Sequence, residues 1–373
     1  MKKYLKIVKN FPFLYAFLLN MRKLVRELLW KKKTIPSEYF LHEISEAPFK
    51  INDVSYFDPD VAQSLNAYNQ QLQNEYLIKY SNYGVLEPNY GWIIKGNCRY
   101  LVNSLPYTYY TNPPKVTDLF AINTKGKKLH YKNLVSLHDV GAGNYFHFIN
   151  DTLTKLCFLK KWGIPSEYPH VISKEVGETN FYKHFKDSLN DYNIIFQDKN
   201  EYMSADNFYL CKSLSYKTEI YEDVLKLLKI DYSNTNRNSN KVFIDRAQSN
   251  GRNILNKDRI LDILGSYGYQ TYMLEDLTLE EQTELFYNSS HVIGIHGAGL
   301  TNIIYRYGAA MSLLELFPPN NIPPHYYWLS KLMKYKYQAI VGDNNTIDKS
   351  KLKQYEKIDF IVDEVKLIKC IKN

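Results

Sequence analysis

Apolar and polar positions along this chain change their rhythm about a third of the way in. From residue 134 onward, short apolar runs alternate with stretches of helical period. Residues 134–140, 170–173, 193–197 and 208–211 read as strands, and helices are predicted after Gly141 as far as Lys161, over 179–189 and over 219–230. Residues 231–240 are polar, lack apolar periodicity and read as an interdomain linker. Beyond them the alternation is regular. Strands are predicted over 241–245, 270–274, from Ser290 to the glycine turn, over 311–317 and over 336–341. Helices are predicted over 257–267, 279–288, 300–305 and 324–333. Strands that alternate with helices of this length imply parallel, doubly wound α/β sheets.

The first third is less regular. It predicts a helix over 61–80 and a β-hairpin in which 92–94 pairs with 99–102. Residues 1–33 are basic and amphipathic, with an apolar run too short to span a bilayer and no small-residue cleavage site. Such a helix can lie in the headgroup region of an anionic membrane. The expected division is a basic arm over 1–50, an N-terminal domain over 51–235 and a C-terminal domain over 236–373. A last helix, 359–373, is expected to pack back on the first domain.

Composition narrows the function only a little. A chain of 373 residues is long enough for two domains, and 45% hydrophobic with 23% charged residues is a globular composition. The net charge of +8 suits an anionic ligand or an anionic membrane surface. It matches no nucleic-acid-binding module, because the basic residues gather in the N-terminal arm rather than along one stripe. Cys98, Cys157, Cys211 and Cys370 are widely spaced, which suggests neither a disulfide framework nor a metal site. Asn150, Asn288 and Asn344 each begin an Asn-x-Ser/Thr triplet. The first falls inside a predicted helix, and all three read as chance matches in a cytoplasmic protein, peripheral on the inner face of the cell membrane if the arm docks there. Asp58-Pro59-Asp60 resembles a metal-holding Asp-x-Asp triplet but reads as a turn.

The candidate chemistry collects at the carboxyl ends of predicted strands, where open α/β sheets bind ligands. The strand from Ser290 breaks at His296-Gly297-Ala298-Gly299 and continues as a helix through Leu300, Thr301 and Asn302. A helix start with two glycines suits a phosphate or another anion. Arg246 and Arg252 follow the preceding strand and reach the same edge, where two guanidinium groups make a bidentate phosphate site. Asn256 falls where it could cap the next helix. Glu275 ends another strand at that edge, where it could accept hydrogen bonds from ribose hydroxyls, and Gln282 lies on the helix after it. Earlier, His147 and Asp151 stand four residues apart on one helix face, a reasonable general-base pair. The preceding Gly141-x-Gly143 imitates a dinucleotide-binding turn, but Phe146 stands where the third glycine belongs.

Four blocks in order resemble glycosyltransferase family 61. Asn144-Tyr145-Phe146-His147-Phe148-Ile149-Asn150-Asp151 is similar to its Asn-Tyr-Tyr-His-Trp-x-x-Asp block. Arg246 with Arg252-Asn253-Ile254-Leu255-Asn256 is similar to its Arg…Arg-x-Ile-x-Asn block. Leu274-Glu275 with Glu281-Gln282, then His296 to Asn302, complete the series, and Leu314 to Pro318 is similar to the strand that follows. The resemblance covers about residues 134–320. It implies a GT-B-like architecture, two Rossmann-like domains with a cleft between them. It implies inverting transfer of a sugar from a nucleoside-diphosphate sugar, UDP-linked in our reading, to a hydroxyl of a glycan or lipid-linked glycan acceptor. It also implies that no metal or other cofactor is needed, because Arg246, Arg252 and the helix start carry the diphosphate charge. His147 or Asp151 then takes the acceptor proton, and His296 contacts phosphate or sugar. Lacking a membrane anchor, the chain looks more like bacterial members that serve capsule or lipopolysaccharide synthesis. The alternative is a non-catalytic glycan-binding protein on the same fold.

Overall fold

The computed structural model describes residues 12–46, 58–66, 73–96, 98–101, 129–139, 141–212, 217–233, 237–246, 251–320, 322–344 and 358–373. Ten described strands make a first, mixed sheet. They are β1 (Lys31–Thr34), β2 (Phe40–Glu46), β3 (Gln73–Tyr80), β4 (Gly84–Leu86), β5 (Ile93–Lys95), β6 (Cys98–Leu101), β7 (His130–Ser136), β8 (His170–Ser173), β9 (Ile194–Gln197) and β10 (Met203–Lys212). Their order is β1-β6-β5-β4-β10-β7-β8-β9, with β3 along the far half of β10 and β2 outside it. The block β10-β7-β8-β9 is parallel, as helical crossovers allow.

The expectation of two parallel sheets is therefore corrected for the first. β2–β3, β3–β10, β4–β10, β4–β5 and β5–β6 are all antiparallel. The links between β4, β5 and β6 are too short for a crossover, so only antiparallel pairing is open to them. The predicted hairpin is present as β5–β6, apart from Val102, which lies outside the described residues. The predicted helix over 61–80 divides into helix Pro59–Asn66 and strand β3. Asp58 and Pro59 open that helix rather than forming an isolated turn. The stretch expected as an arm over 1–50 is helical over Pro12–Leu29, while β1 and β2 join the first sheet.

Five further strands form a second sheet, wholly parallel, in the order β12-β11-β13-β14-β15. They are β11 (Asn240–Asp245), β12 (Gln270–Met273), β13 (Ser289–Ile295), β14 (Ser312–Phe317) and β15 (Lys336–Val341). β11, β13 and β14 carry unbroken buried runs, such as Leu313 to Phe317, because helices cover both sheet faces. Helices Lys257–Ser266, Leu279–Tyr287 and His325–Leu332 fill the predicted crossovers. The segment after β13 is a 3-10 helix, Ala298–Arg306, which turns more tightly than the expected α-helix. Helix Glu364–Lys372 buries Leu367 in one cluster with Phe243, Ile260 and Phe360. It thus packs on the second sheet's own layer and reaches toward the first half through the Lys366–Asp58 ion pair.

One buried apolar cluster joins the two halves. It includes Val135, Leu153 and Leu156 from the first, and Val292, Leu313 and Tyr326 from the second. Hydrogen bonds follow the same seam. Tyr145 and Tyr305 share one between their hydroxyls at 2.7 Å, and Thr218 donates to the Leu332 carbonyl at 3.1 Å.

Candidate active site

β11 and β13 end side by side, with Ile244 paired to Gly294, so Arg246 and His296 leave the same sheet edge together. Arg246 donates through Nη1 to the His296 carbonyl at 3.1 Å, and Arg252 donates through Nη1 to the same oxygen at 3.2 Å. Among the described residues, neither guanidinium has a carboxylate partner. Arg252 Nε is buried without any partner, and burial together with the Arg246 charge lowers the Arg252 pKa. Two cations converging on one carbonyl oxygen repel each other, and a bound anion would relieve the repulsion. Arg252 also adopts a φ of +69°, a left-handed conformation that a residue with a Cβ rarely takes.

Gly297 makes room for this arrangement. A Cβ there would stand 2.5 Å from Arg246 Nη1. Gly299 admits Leu274 in the same way, since a Cβ would meet its Cδ1 at 2.4 Å. Beside them opens a cleft of about 520 Å³. Arg246, Glu275 and Gly297 line it from the second half; Tyr145, Phe181 and His184 line it from the first. It joins cations, an exposed carboxylate and aromatic rings, the mixture that an anionic, partly aromatic ligand needs.

Behind the turn is a buried polar relay. His296 Nδ1 and Glu315 Oε1 share a hydrogen bond of 2.6 Å, and the Tyr337 hydroxyl donates to Glu315 Oε2 at 2.6 Å. Burial, then the charges of Arg252 and Arg246, hold His296 well below the usual imidazole range. Burial pushes the Glu315 carboxyl up. The neighbourhood is electropositive, and its own groups do not cancel that.

Across the seam, His147 Nδ1 bonds Asp151 Oδ2 at 2.7 Å, so Nε2 is left for another partner. Asn144 starts this helix by accepting from the Phe146 amide at 2.9 Å. A π-helical turn, Phe148–Leu153, follows and carries Asp151. Burial pulls the His147 pKa down, but the Asp151 hydrogen bond and charge, with the Asp139 charge, outweigh it, and the net shift is upward. Gly141, at φ +86°, lies against the ring, and a Cβ there would stand 2.7 Å from His147 Cδ2. Phe146 stacks near His325 at 4.7 Å between centroids, and His325 lies 6.3 Å from His296. A line of rings therefore links the His147 pair to the arginine edge. Burial, then the charges of His296 and His147, push the His325 pKa down to about 3.

Residues 145–312 match the model of the family described as Glycosyltransferase 61. This match supports assigning the chain to glycosyltransferase family 61. The match supports glycosyltransferase activity, and that family implies a sugar donor and a glycan acceptor. No curated protein matches the chain. Among solved structures it is similar to the dodecameric iron-containing heptosyltransferase TibC in complex with ADP-D-beta-D-heptose. That match has 12% identity, covers 61% of this chain and 70% of the other, and has a TM-score of 0.31. It is also similar to TibC from enterotoxigenic E. coli H10407, at 12% identity over 74% of this chain and 83% of the other, with a TM-score of 0.34. A likeness this distant does not bear on the substrate.

Seven of the fourteen residues expected from the sequence line this cleft, though not all in one role, while His147, Asp151, Arg252, Asn256, His296, Thr301 and Asn302 lie outside its lining. Arg246, Glu275, Gln282, Gly297, Ala298, Gly299 and Leu300 line the cleft. Gln282 is already engaged. It donates to the carbonyls of Leu274 and Leu277 at 2.8 and 3.1 Å and accepts from Asn302 at 3.0 Å. Gln282 and Asn302 thus brace the turn that holds Glu275. Thr301 and Asn302 are fully buried behind the cleft wall. Asn256 stands at its helix start but does not cap it; its amide pairs with both backbone groups of Val362, at 2.9 and 3.0 Å. His325 and Tyr326, whose hydroxyl donates to the Gly297 carbonyl at 2.7 Å, were not expected. Pro323-Pro324 before a helix was the one local signal there, and it marks a turn rather than a site.

Proposed function

We propose that this glycosyltransferase has a GT-B architecture and works by inversion without a metal. It moves a sugar from a nucleoside-diphosphate sugar, UDP-linked in our reading, to a hydroxyl of a glycan acceptor. The observation that carries the proposal is the pair of guanidiniums that have no carboxylate partner among the described residues, Arg246 and Arg252, converging on the His296 carbonyl beside the cleft that Arg246 lines. Fixed cations there can take the negative charge that grows on a departing diphosphate, the part a metal plays elsewhere. Glu275 faces the ribose side, and Tyr145 with Phe181 offers aromatic surface to the base or sugar.

A second cleft of about 720 Å³ opens beyond the carboxyl ends of β7, β8 and β9. Asp139, Gly141, Asn144, Glu175 and Asp198 contribute to its wall, and these polar groups suit sugar hydroxyls. Asn144 lines this cleft while Tyr145 lines the other, so the start of the His147 helix separates the two. We assign the larger cleft to the acceptor. His147, held by Asp151, takes the acceptor hydroxyl proton on Nε2. The freed oxygen forms its bond to the anomeric carbon as the bond from that carbon to the phosphate oxygen breaks. The nucleoside diphosphate leaves from the opposite face.

The test is titration calorimetry of the protein with UDP, GDP and CMP in the presence of EDTA. Micromolar binding of one nucleotide, lost in Arg252→Ala, is the expected result. No binding to any nucleotide would favour a non-catalytic glycan-binding protein instead. Proton NMR of the product's anomeric signal then distinguishes inversion from retention.

A further inference from the structure

The basic charge of this protein is not spread over its surface. Residues 1–33 contain ten lysines and arginines against one acid, Glu27, a net +9. The whole chain carries +8, which leaves −1 for everything that follows. Within that stretch the described helix Pro12–Leu29 presents a long apolar stripe. Phe13, Phe17, Met21, Leu24 and Leu28 recur at intervals of four, four, three and four, which keeps them on one face. They are 88, 53, 43, 50 and 75% exposed, and the exposed Val25 and Leu29 widen the stripe on one side.

The protein's own body does not cover this face. None of the described side chains of the helix belongs to any of the buried apolar clusters described above or to the two smaller ones in the first half. After the helix the chain enters the interior at Trp30, which packs with Val85, Ile94 and Tyr202, and then continues into β1. Trp30 thus ties the C-terminal end of the helix to the body. Its 18 residues span about 27 Å. Among the described residues, no helix is long and apolar enough to cross a membrane. A contiguous exposed stripe of this size marks an interaction surface.

We propose that residues 1–33 dock the protein on an anionic lipid bilayer, with helix Pro12–Leu29 lying in the headgroup plane. Charge selects this partner. A stripe of Phe, Leu and Met embedded in a +9 segment complements acyl chains beneath acidic headgroups. A second copy of the chain would bring two +9 segments face to face, which opposes pairing through the same stripe. The inference is independent of the donor and acceptor assigned above.

The experiment is flotation of the full chain with vesicles of phosphatidylcholine alone and of phosphatidylcholine with phosphatidylglycerol at 7:3. Flotation with the anionic vesicles is expected, with little on the neutral ones. Raising the salt from 0.1 to 0.5 M should reduce it by about tenfold, since screening removes the charge attraction. The triple variant Phe13→Glu, Phe17→Glu, Leu28→Glu should lose flotation while its thermal melting stays unchanged, because these side chains contact no core. Failure of the wild type to float with anionic vesicles would overturn the proposal, as would undiminished flotation of the triple variant. Light scattering in the absence of lipid covers the other occupant. A dimer that the triple variant dissolves, with no vesicle binding by either protein, would assign the stripe to a second copy.

Discussion

His147 gains a proton more readily than an ordinary imidazole, because Asp151 and Asp139 together outweigh the effect of its burial. The two consequences have opposite signs. Below the unfolded pKa of about 6.5 the protonated pair contributes stability, and that contribution is lost as pH rises through the higher folded pKa. The base, however, works only once the proton has gone. The acidic limb of kcat/KM against pH should therefore have its midpoint above about 6.5. Asp151→Asn removes both the charge and the strong acceptor, so its limb should move to lower pH and its plateau should fall by about tenfold or more. A limb that stays in place in Asp151→Asn would assign the titration to another group. Arg252 is a second case in which function and comfort conflict. Its left-handed φ suits glycine, and its neighbour is another cation. Arg252→Gly should melt no lower than wild type, yet bind nucleotide at least about tenfold more weakly by calorimetry.

At the scale of elements, the strand–turn–helix unit around Gly297 was legible in the sequence because its constraints are local. Buried parallel strands write unbroken apolar runs, and a close approach of side chain to backbone demands glycine. Gly297→Ala tests the second constraint. The added methyl would fall 2.5 Å from the flexible end of Arg246, so the guanidinium should swing away without unfolding the protein. Nucleotide affinity should drop by about tenfold with little change in melting temperature, and an unchanged affinity would remove Arg246 from the donor site. Other elements were not legible. In β3, Tyr76, Leu77, Ile78 and Tyr80 are all buried, so neither the period of two nor the one-sided pattern of a half-buried strand appears. The spacing of Val61, Leu65, Tyr76 and Tyr80 then imitates a long helix. β4 and β5 are three residues each, shorter than any periodicity can declare. His325 escaped for another reason: its place beside Phe146 is set by packing between residues 179 positions apart, which no local pattern records.

The whole molecule raises the question of whether its two sheets behave as separate bodies. The polar run over 231–240 suggested an interdomain linker, and residues 234–236 within it lie outside the described residues. Yet a single apolar cluster runs beneath both sheets, and Tyr145–Tyr305 and Thr218–Leu332 cross the seam within hydrogen-bonding distance. A seam of this kind couples the stability of the halves, because opening it exposes core from both. Leu153 lies in the first half and Leu313 in the second; both are fully buried in that shared cluster. Truncating either to alanine removes buried methyl groups and leaves a cavity, at a cost of about 2–5 kcal/mol. If the halves unfold together, scanning calorimetry should show one transition in wild type and in both variants, lowered as a whole by either substitution. Fluorescence and circular dichroism should follow the same curve. If they are independent, Leu313→Ala should split the trace, with one peak displaced and the other unmoved. The single transition is the expected result. It would mean that opening and closing around the donor is confined to movements the shared core tolerates, with the sheets turning little relative to each other.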